Sequence, residues 1–275
     1  MHARTFYFAS HFLERRKRGA CYAVYAFCRY VDDLADEWSE REITGSISPE
    51  ESTRRAIAAW SDDLDRVYRG EMVDDPVMIA WADVLERYEI PRNLPDELIE
   101  GCLSDLRPHV RYATFAELRE YCYKVASVVG LMTSRIFGLE DPAQQEFADA
   151  RAIDLGIAMQ LTNILRDVGE DAADDRIYLP LDEIAAAGLE EGDILAGRWT
   201  PAFRDFMIEQ IARARDYYTT AEEGILLLSK ESRRTVRLMS RNYAGILQAI
   251  ERNDYDVFTR RARVPGWKKL ASLIS

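Results

Sequence analysis

The chain has 275 residues, 48% of them hydrophobic, and a formal net charge of -12 at pH 7. That apolar content supports a substantial core, and the negative charge argues against nucleic acid as a partner. No apolar run approaches the roughly 18 residues of a membrane span and no signal-peptide pattern opens the chain, so a cytoplasmic protein is expected.

Helix signals dominate from the start. In "YAVYAFCRYVDDLADEW", Ala20, Val24, Phe27, Val31, Leu34 and Trp38 are spaced 4, 3, 4, 3 and 4, an apolar helix stripe. Tyr25, Arg29, Asp32 or Asp33, and Asp36 follow the same spacing on another face. Asp32 and Asp36 then stand about 40° apart around the axis and about 6 Å along it. Their carboxylates can converge on one point. An isolated DxxxD is more often a solvated acidic face, and its like charges repel by roughly 0.2–0.5 kcal/mol per pair.

Next, "SPEES" predicts a helix with Ser48 as N-cap, Pro49 at the first position, Glu51 closing a capping box and Gly70 as the stop. "TFAE" repeats that logic with Thr114 and Glu117 and predicts a helix to about Gly138. "DPAQ" does so with Asp141, Pro142 and Gln144, and Thr200–Pro201 opens another long helix. No run alternates apolar and polar residues in strand fashion. No linker divides the chain, so residues 1–275 read as one all-α domain. Cys21, Cys28, Cys102 and Cys122 lie in helical patterns without a CxxC pair and read as free thiols in a reducing compartment.

A second stretch, "AIDLGIAMQLTNILRDVGEDAADDRIYLP", changes the weight of the first. Ile153, Ile157, Leu161, Leu165 and Val168 make its apolar stripe, while Gln160, Asn163, Asp167 and Asp171 line another face at spacings of 3, 4 and 4. Two such helices suggest two oxygen-rich patches facing each other across a bundle. Carboxylate and amide oxygens suit a hard cation, Mg²⁺ above all, which keeps positions free for phosphate oxygens. A di-iron bundle would need Glu-x-x-His motifs, and the three histidines, His2, His11 and His109, lie in neither patch.

Cations near the patches fit a diphosphate. Arg29 precedes Asp32, Arg166 precedes Asp167, and Arg176 and Tyr178 follow the second motif. Plain ion pairs with the adjacent aspartates are the competing reading, and for Arg166 the favoured one. In "YCYKVASVVGLMTSRIFG", Ala126, Ser127 and Gly130 are small mid-helix residues, as are Gly156 and Ala158 in the second motif. A mid-helix Gly costs about 0.5–1 kcal/mol against Ala. Either close helix packing or an apolar tunnel for a prenyl chain would account for them.

Together these residues resemble the squalene and phytoene synthase family of head-to-head prenyl synthases. "YAVYAFCRYVDDLADE" and "QLTNILRDVGEDAADDRIYLP" look like its two aspartate-rich regions, "YCYKVASVVG" its tyrosine helix, and "HARTFYFAS" its first segment. "NDYDVFTRRARVPGWKKL" resembles the tail of bacterial phytoene synthases, and the likeness runs from residue 2 to about residue 270.

The resemblance implies an isoprenoid synthase helical bundle around a central cavity. Family positions imply Mg²⁺ ligands at Asp32, Asp33, Asp36, Asn163, Asp167 and Asp171, with Mn²⁺ as a substitute metal. Asp32, Asp36, Asp167, Asp171 and Tyr121 are the expected catalytic set; Phe6, Tyr25, Arg29, Gln160, Arg166, Arg176 and Tyr178 are the expected substrate contacts. Ser127 stands where relatives commonly have Gly and is expected to narrow the tunnel. The expected reaction joins two geranylgeranyl diphosphates to phytoene without NADPH.

Several readings stay open at this level. Dehydrosqualene and presqualene diphosphate synthases use shorter, farnesyl substrates. Squalene synthases usually carry a C-terminal membrane helix, and no such pattern precedes Ser275. "DDLAD" also fits terpene cyclases, although Asp167 and "RIYLP" favour the head-to-head family. A non-catalytic scaffold would give no reason for two metal-ligand lines. Two basic runs, Arg15–Arg18 and Arg260, Arg261, Arg263, Lys268 and Lys269 around Trp267, suggest loose contact with the inner face of the membrane. Hand-off of an oily product to a phytoene desaturase would follow naturally.

Overall fold

A computed structural model describes residues 9–36, 48–107 and 109–263, the side chains of Asp36 and Pro49 excepted. Phe6, Trp38, Trp267, Lys268 and Lys269 therefore lie outside the described residues. Helices α1 (Arg15–Asp36), α2 (Pro49–Tyr68), α3 (Pro76–Leu85) and α4 (Asn93–Ser104) form the first half. The second half holds α5 (Phe115–Cys122), α6 (Val128–Phe137), α7 (Gln145–Ala173), α8 (Leu181–Ala186), α9 (Glu191–Leu195), α10 (Pro201–Ile225) and α11 (Lys230–Arg252).

The expected stripes face inward. Ala20, Val24, Phe27 and Val31 of α1 are buried, and the Phe27 ring packs between Trp60 and Trp81 with centroids 5.9 and 4.7 Å away. On α7, Ile157, Leu161, Leu165 and Val168 are buried and Ile153 is partly so. All four cysteines are free.

The caps form where the sequence places them, with two changes of partner. Ser48 Oγ accepts from the Glu51 backbone at 3.2 Å, and Thr200 Oγ1 from Phe203 at 3.1 Å. Glu51, however, meets Arg55 at 2.8 Å instead of closing its box, a better-charged partner one turn on. Glu117 likewise accepts from the Ala113 backbone at 2.7 Å. Gly70 and Gly138 end their helices at φ of 77° and 71°, where Gly avoids the Cβ clash.

Two features depart from the sequence reading. A short parallel pairing exists, Val110–Arg111 against Arg176–Ile177, too brief to leave an alternating pattern. The helix expected from Thr114 to Gly138 is also not uniform. Residues Tyr123–Ser127 form a π turn, closed by the Val128 amide donating to the Tyr123 carbonyl.

That segment crosses α7 at very short range. A Cβ on Gly156 would fall 2.4 Å from Ser127 Cα, and one on Gly130 would fall 3.1 Å from the Ala152 carbonyl oxygen. Ser127 is fully buried and donates to the Ile153 carbonyl at 2.8 Å. It therefore sits in the helix seam and, contrary to expectation, is not among the residues lining the tunnel. Ala158 is likewise buried away from the tunnel.

Candidate active site

A cavity of about 260 Å³ runs between α1, the α5–α6 segment, α7, α10 and α11. Along α7 its lining passes from Asn163 and Gln160 through Gly156 to Ala148, about 22 Å at 1.5 Å per residue. The opposite walls follow the same axis: Cys28, Tyr25 and Cys21 on α1, then Val129, Gly130 and Phe137 on α6. Its walls are mostly apolar; Tyr25, Gln160, Asn163 and Tyr243 stand at the end nearer the aspartates, while Thr133, Ser134 and Arg151 line it farther along. Both small-residue explanations thus hold at once, because Gly130 and Gly156 pack against backbone and also line the cavity.

The aspartates continue beyond that polar end. Asp32 lies one turn past Cys28 on α1, and Asp167 and Asp171 lie one and two turns past Asn163 on α7. Asp32 and Asp33 are about half exposed and both pair with Arg29, Asp32 at 2.9 Å. Arg166 is 3% exposed and its Nε donates to Asp167 at 2.8 Å. The ion-pair reading of Arg166 is therefore what the structure shows. Arg176 lies beside Asp171.

Among the described residues no three Asp, Glu, His or Cys side chains stand together as a ready cage. Arg29 holds Asp32 and Asp33, and Arg166 holds Asp167, in ion pairs. Two atoms nonetheless fit a hard cation. Asn163 Oδ1 is buried without a hydrogen-bond partner. Burial, then the neighbouring Asp167 carboxylate, pushes the Asp171 carboxyl up to about 8 despite Arg176. An amide oxygen without a donor and a carboxylate short of positive charge are the chemistry a cation completes.

Three contributors were not legible as site residues. Asp105, just past α4, accepts from Tyr121 at 2.8 Å and from Tyr178 at 3.0 Å. The Tyr121 and Tyr178 rings pack with centroids 5.2 Å apart. Burial, reinforced by Asp105, holds both phenols far above their ordinary range, so both stay protonated. Tyr243 lines the cavity from α11, where it reads only as one more apolar-stripe residue. Arg261 belongs to the basic tail in sequence, yet its guanidinium lies 3.1 Å from Asp167 and donates to Glu170 at 2.7 Å. No local signal marks Asp105 or Arg261, since each gains its meaning from a distant partner.

The squalene/phytoene synthase family pattern matches residues 1–268. The chain belongs to that family. It is 41% identical to a 15-cis-phytoene synthase of Synechococcus elongatus over 99% of this chain and 87% of that one. A phytoene synthase of Arthrospira platensis is 40% identical, with the same coverage. A dehydrosqualene synthase crystal structure superposes with a TM-score of 0.87 at 28% identity, covering 98% of this chain and 89% of that one. The all-α isoprenoid synthase fold follows. Among the described residues no helix is long and apolar enough to cross a membrane.

Proposed function

We propose that this chain, acting as one isoprenoid synthase unit over residues 1–275, is a phytoene synthase. It joins two geranylgeranyl diphosphates head to head, through prephytoene diphosphate, to phytoene for carotenoid biosynthesis. The observation that carries the reading is the long apolar cavity with its polar end continued by two aspartate lines.

Asp32, Asp33 and Asp36 on one side and Asn163, Asp167 and Asp171 on the other would hold Mg²⁺, or Mn²⁺ in its place. Bound there, the ions neutralise charge as it develops on the departing diphosphate. Arg29, Arg166, Arg176 and Arg261 grip diphosphate oxygens, trading their carboxylate partners for phosphate. Tyr25 and Gln160 meet the head of the prenyl chain at the polar end, with Phe6 beside the reacting carbons. The apolar walls keep water from quenching the allylic cation. Tyr121 and Tyr178 stay protonated, with their single hydroxyl protons donated to Asp105, and are not the bases in this reading. This assigns the final proton to the released diphosphate.

In this reading no NADPH is required, and the product passes to a phytoene desaturase. Loose contact with the inner face of the membrane, driven by basic residues, is part of it. A dehydrosqualene synthase using farnesyl diphosphate is the second reading, favoured by the structural likeness at 28% identity. Purified protein incubated with geranylgeranyl diphosphate and Mg²⁺, beside a farnesyl diphosphate control, decides between them. Phytoene from the first alone supports the proposal. A thirty-carbon product from the control alone selects the second reading, and a cyclic terpene or lengthened diphosphate overturns both.

A further inference from the structure

Helix α7 ends at Ala173, and the chain leaves it through a turn in which Asp175 takes φ 56°. That left-handed conformation is rare for residues other than Gly, Asn and Asp. Arg176 and Tyr178 follow at once. Arg176 lies beside Asp171, and Tyr178 donates to Asp105 at 3.0 Å. Two expected substrate contacts thus hang from one turn, and the torsions at Asp175 set where both side chains point.

A neighbouring strip holds that turn. Val110 and Arg111 pair in parallel with Arg176 and Ile177. Farther along, the Leu181 amide donates to the Tyr112 carbonyl at 3.0 Å and the Asp182 amide to the Ala113 carbonyl at 3.1 Å. Two residues per strand make a weak ladder by themselves. Arg111 supplies the rest. Its Nη2 donates to Asp175 Oδ1 at 2.6 Å, and its Nη1 to the Asp175 carbonyl at 2.6 Å and the Val110 carbonyl at 2.8 Å. Its Nε donates to Glu191, the first residue of α9, at 2.8 Å. His109 Nδ1 lies 2.5 Å from Asp175 Oδ2.

A plain surface ion pair contributes little and holds no fixed geometry. The Arg111 side chain, however, is 19% exposed against 45% for Asp175, and it grips one residue by side chain and main chain together. The carbonyl it binds belongs to the peptide that joins Asp175 to Arg176. Because that peptide is planar, the bond fixes the backbone direction entering Arg176. A guanidinium, with its donors in a rigid fork, reaches both oxygens at once. Arg111 itself is not among the residues lining the cavity.

We propose that Arg111 is a positioning residue for the reaction: by holding the side chain and carbonyl of Asp175, it fixes the turn from which Arg176 meets the diphosphate. The role rests on the reading above, in which Arg176 grips diphosphate oxygens. Charge develops on the departing diphosphate in the transition state, and a donor already in place stabilises it better than one that must reorganise. Loss of Arg111 therefore acts on kcat more than on KM.

The test is binding of inorganic pyrophosphate with Mg²⁺ to the full chain by calorimetry, beside steady-state kinetics with geranylgeranyl diphosphate. Arg111→Gln is expected to weaken pyrophosphate about ten-fold, the equivalent of one charged hydrogen bond. It should also lower kcat by up to about 100-fold, as misplacement by about 1 Å does. Arg111→Lys keeps the charge without the fork and should fall between; if Arg111→Gln does not fold, it carries the same comparison. In an Arg176→Gln background, Arg111→Gln should weaken pyrophosphate hardly further, because its effect passes through Arg176. A merely structural latch would lower the melting temperature and leave pyrophosphate affinity alone. Two results overturn the proposal: unchanged pyrophosphate binding and kcat in folded Arg111→Gln, or an equal further weakening when Arg176→Gln is already present. Wild type that binds no pyrophosphate removes the functional reading together with this role. Wild type that binds it no better than Arg111→Gln removes this role alone.

Discussion

Arg261 lies 3.1 Å from Asp167, joining the last described stretch of the chain to the middle aspartate of the second acidic motif. Arg261 is about one-third exposed and Asp167 mostly covered, so the pair contributes little to stability, about 1 kcal/mol or less. Its position beside the diphosphate end is what matters. Arg261→Gln should lower kcat/KM at least about ten-fold while the unfolding midpoint barely moves. Steady-state kinetics beside thermal melts check this, and an unchanged kcat/KM would return Arg261 to the role of a tail ion pair.

The two metal-side aspartates should fail in different ways. Asp32 is half exposed and shares Arg29 with Asp33, so Asp32→Ala should abolish turnover with the fold intact. Asp167 neutralises Arg166, which is 3% exposed. Asp167→Ala removes the carboxylate paired with that buried guanidinium, and a loss of about 1–3 kcal/mol is expected along with activity. Asp167→Asn, which keeps an acceptor, should abolish turnover with a smaller loss. Circular dichroism melts on all three variants, with turnover assays, separate these outcomes.

Asp105 holds two phenols with one carboxylate. In Asp105→Asn one oxygen remains to accept, so one tyrosine hydroxyl must turn and accept from the new amide NH2 instead, costing about 1 kcal/mol. Tyr178→Phe should cost less, because Tyr121 still satisfies Asp105. Equal melts for Asp105→Asn and wild type would remove Asp105 from its bridging role.

Asp171 sets a pH dependence of unusual sign. Burial and then Asp167 raise its folded value from the ordinary 3.8 to about 8, so the folded chain holds this proton more tightly than the unfolded one. Its stabilising contribution is complete below about pH 4 and is lost as pH rises through about 8. With divalent cations chelated, Asp171→Asn should therefore melt above wild type at pH 9, and the gap should close toward pH 4. Melts across that range check it; a gap that widens at low pH would contradict the assignment. Cation affinity of wild type should rise over the same interval, because the metal competes with the proton.

The seam between the tyrosine helix and α7 gives a steric prediction. Gly156→Ala places a methyl 2.4 Å from Ser127 Cα, whereas Gly130→Ala places one 3.1 Å from the Ala152 oxygen. The first should destabilise by about 1–3 kcal/mol or more through overpacking, and the second by clearly less. Urea titrations of both variants test the ranking.

Much of the bundle was legible because its signals are local. Ser48, Thr114, Asp141 and Thr200 each act on an amide two or three residues away, and the stripes of α1 and α7 repeat at helical period. The aspartate lines were legible for the same reason. Asp105 was not, since its meaning comes from Tyr121 and Tyr178, which the chain brings to it from far along the sequence. Ser127 was misplaced because helix periodicity cannot say which flank faces the cavity and which the neighbouring backbone. The Arg111–Ile177 pairing left no trace either, two residues per strand being below any pattern.

That loss of periodicity has its own consequence at Tyr123–Ser127. A π turn carries one more residue than the α-helical path, so it offsets the angular phase of everything after it by roughly 100°. Before the offset, Tyr121 turns to Asp105; after it, Val129, Gly130 and Phe137 turn to the apolar cavity. One continuous rod is thereby given two faces, a hydrogen-bonding one at its start and an oily one beyond. The inserted residue works as a phase shifter, and the boundary between the wet and dry halves of the site is written into the winding of the backbone at that point.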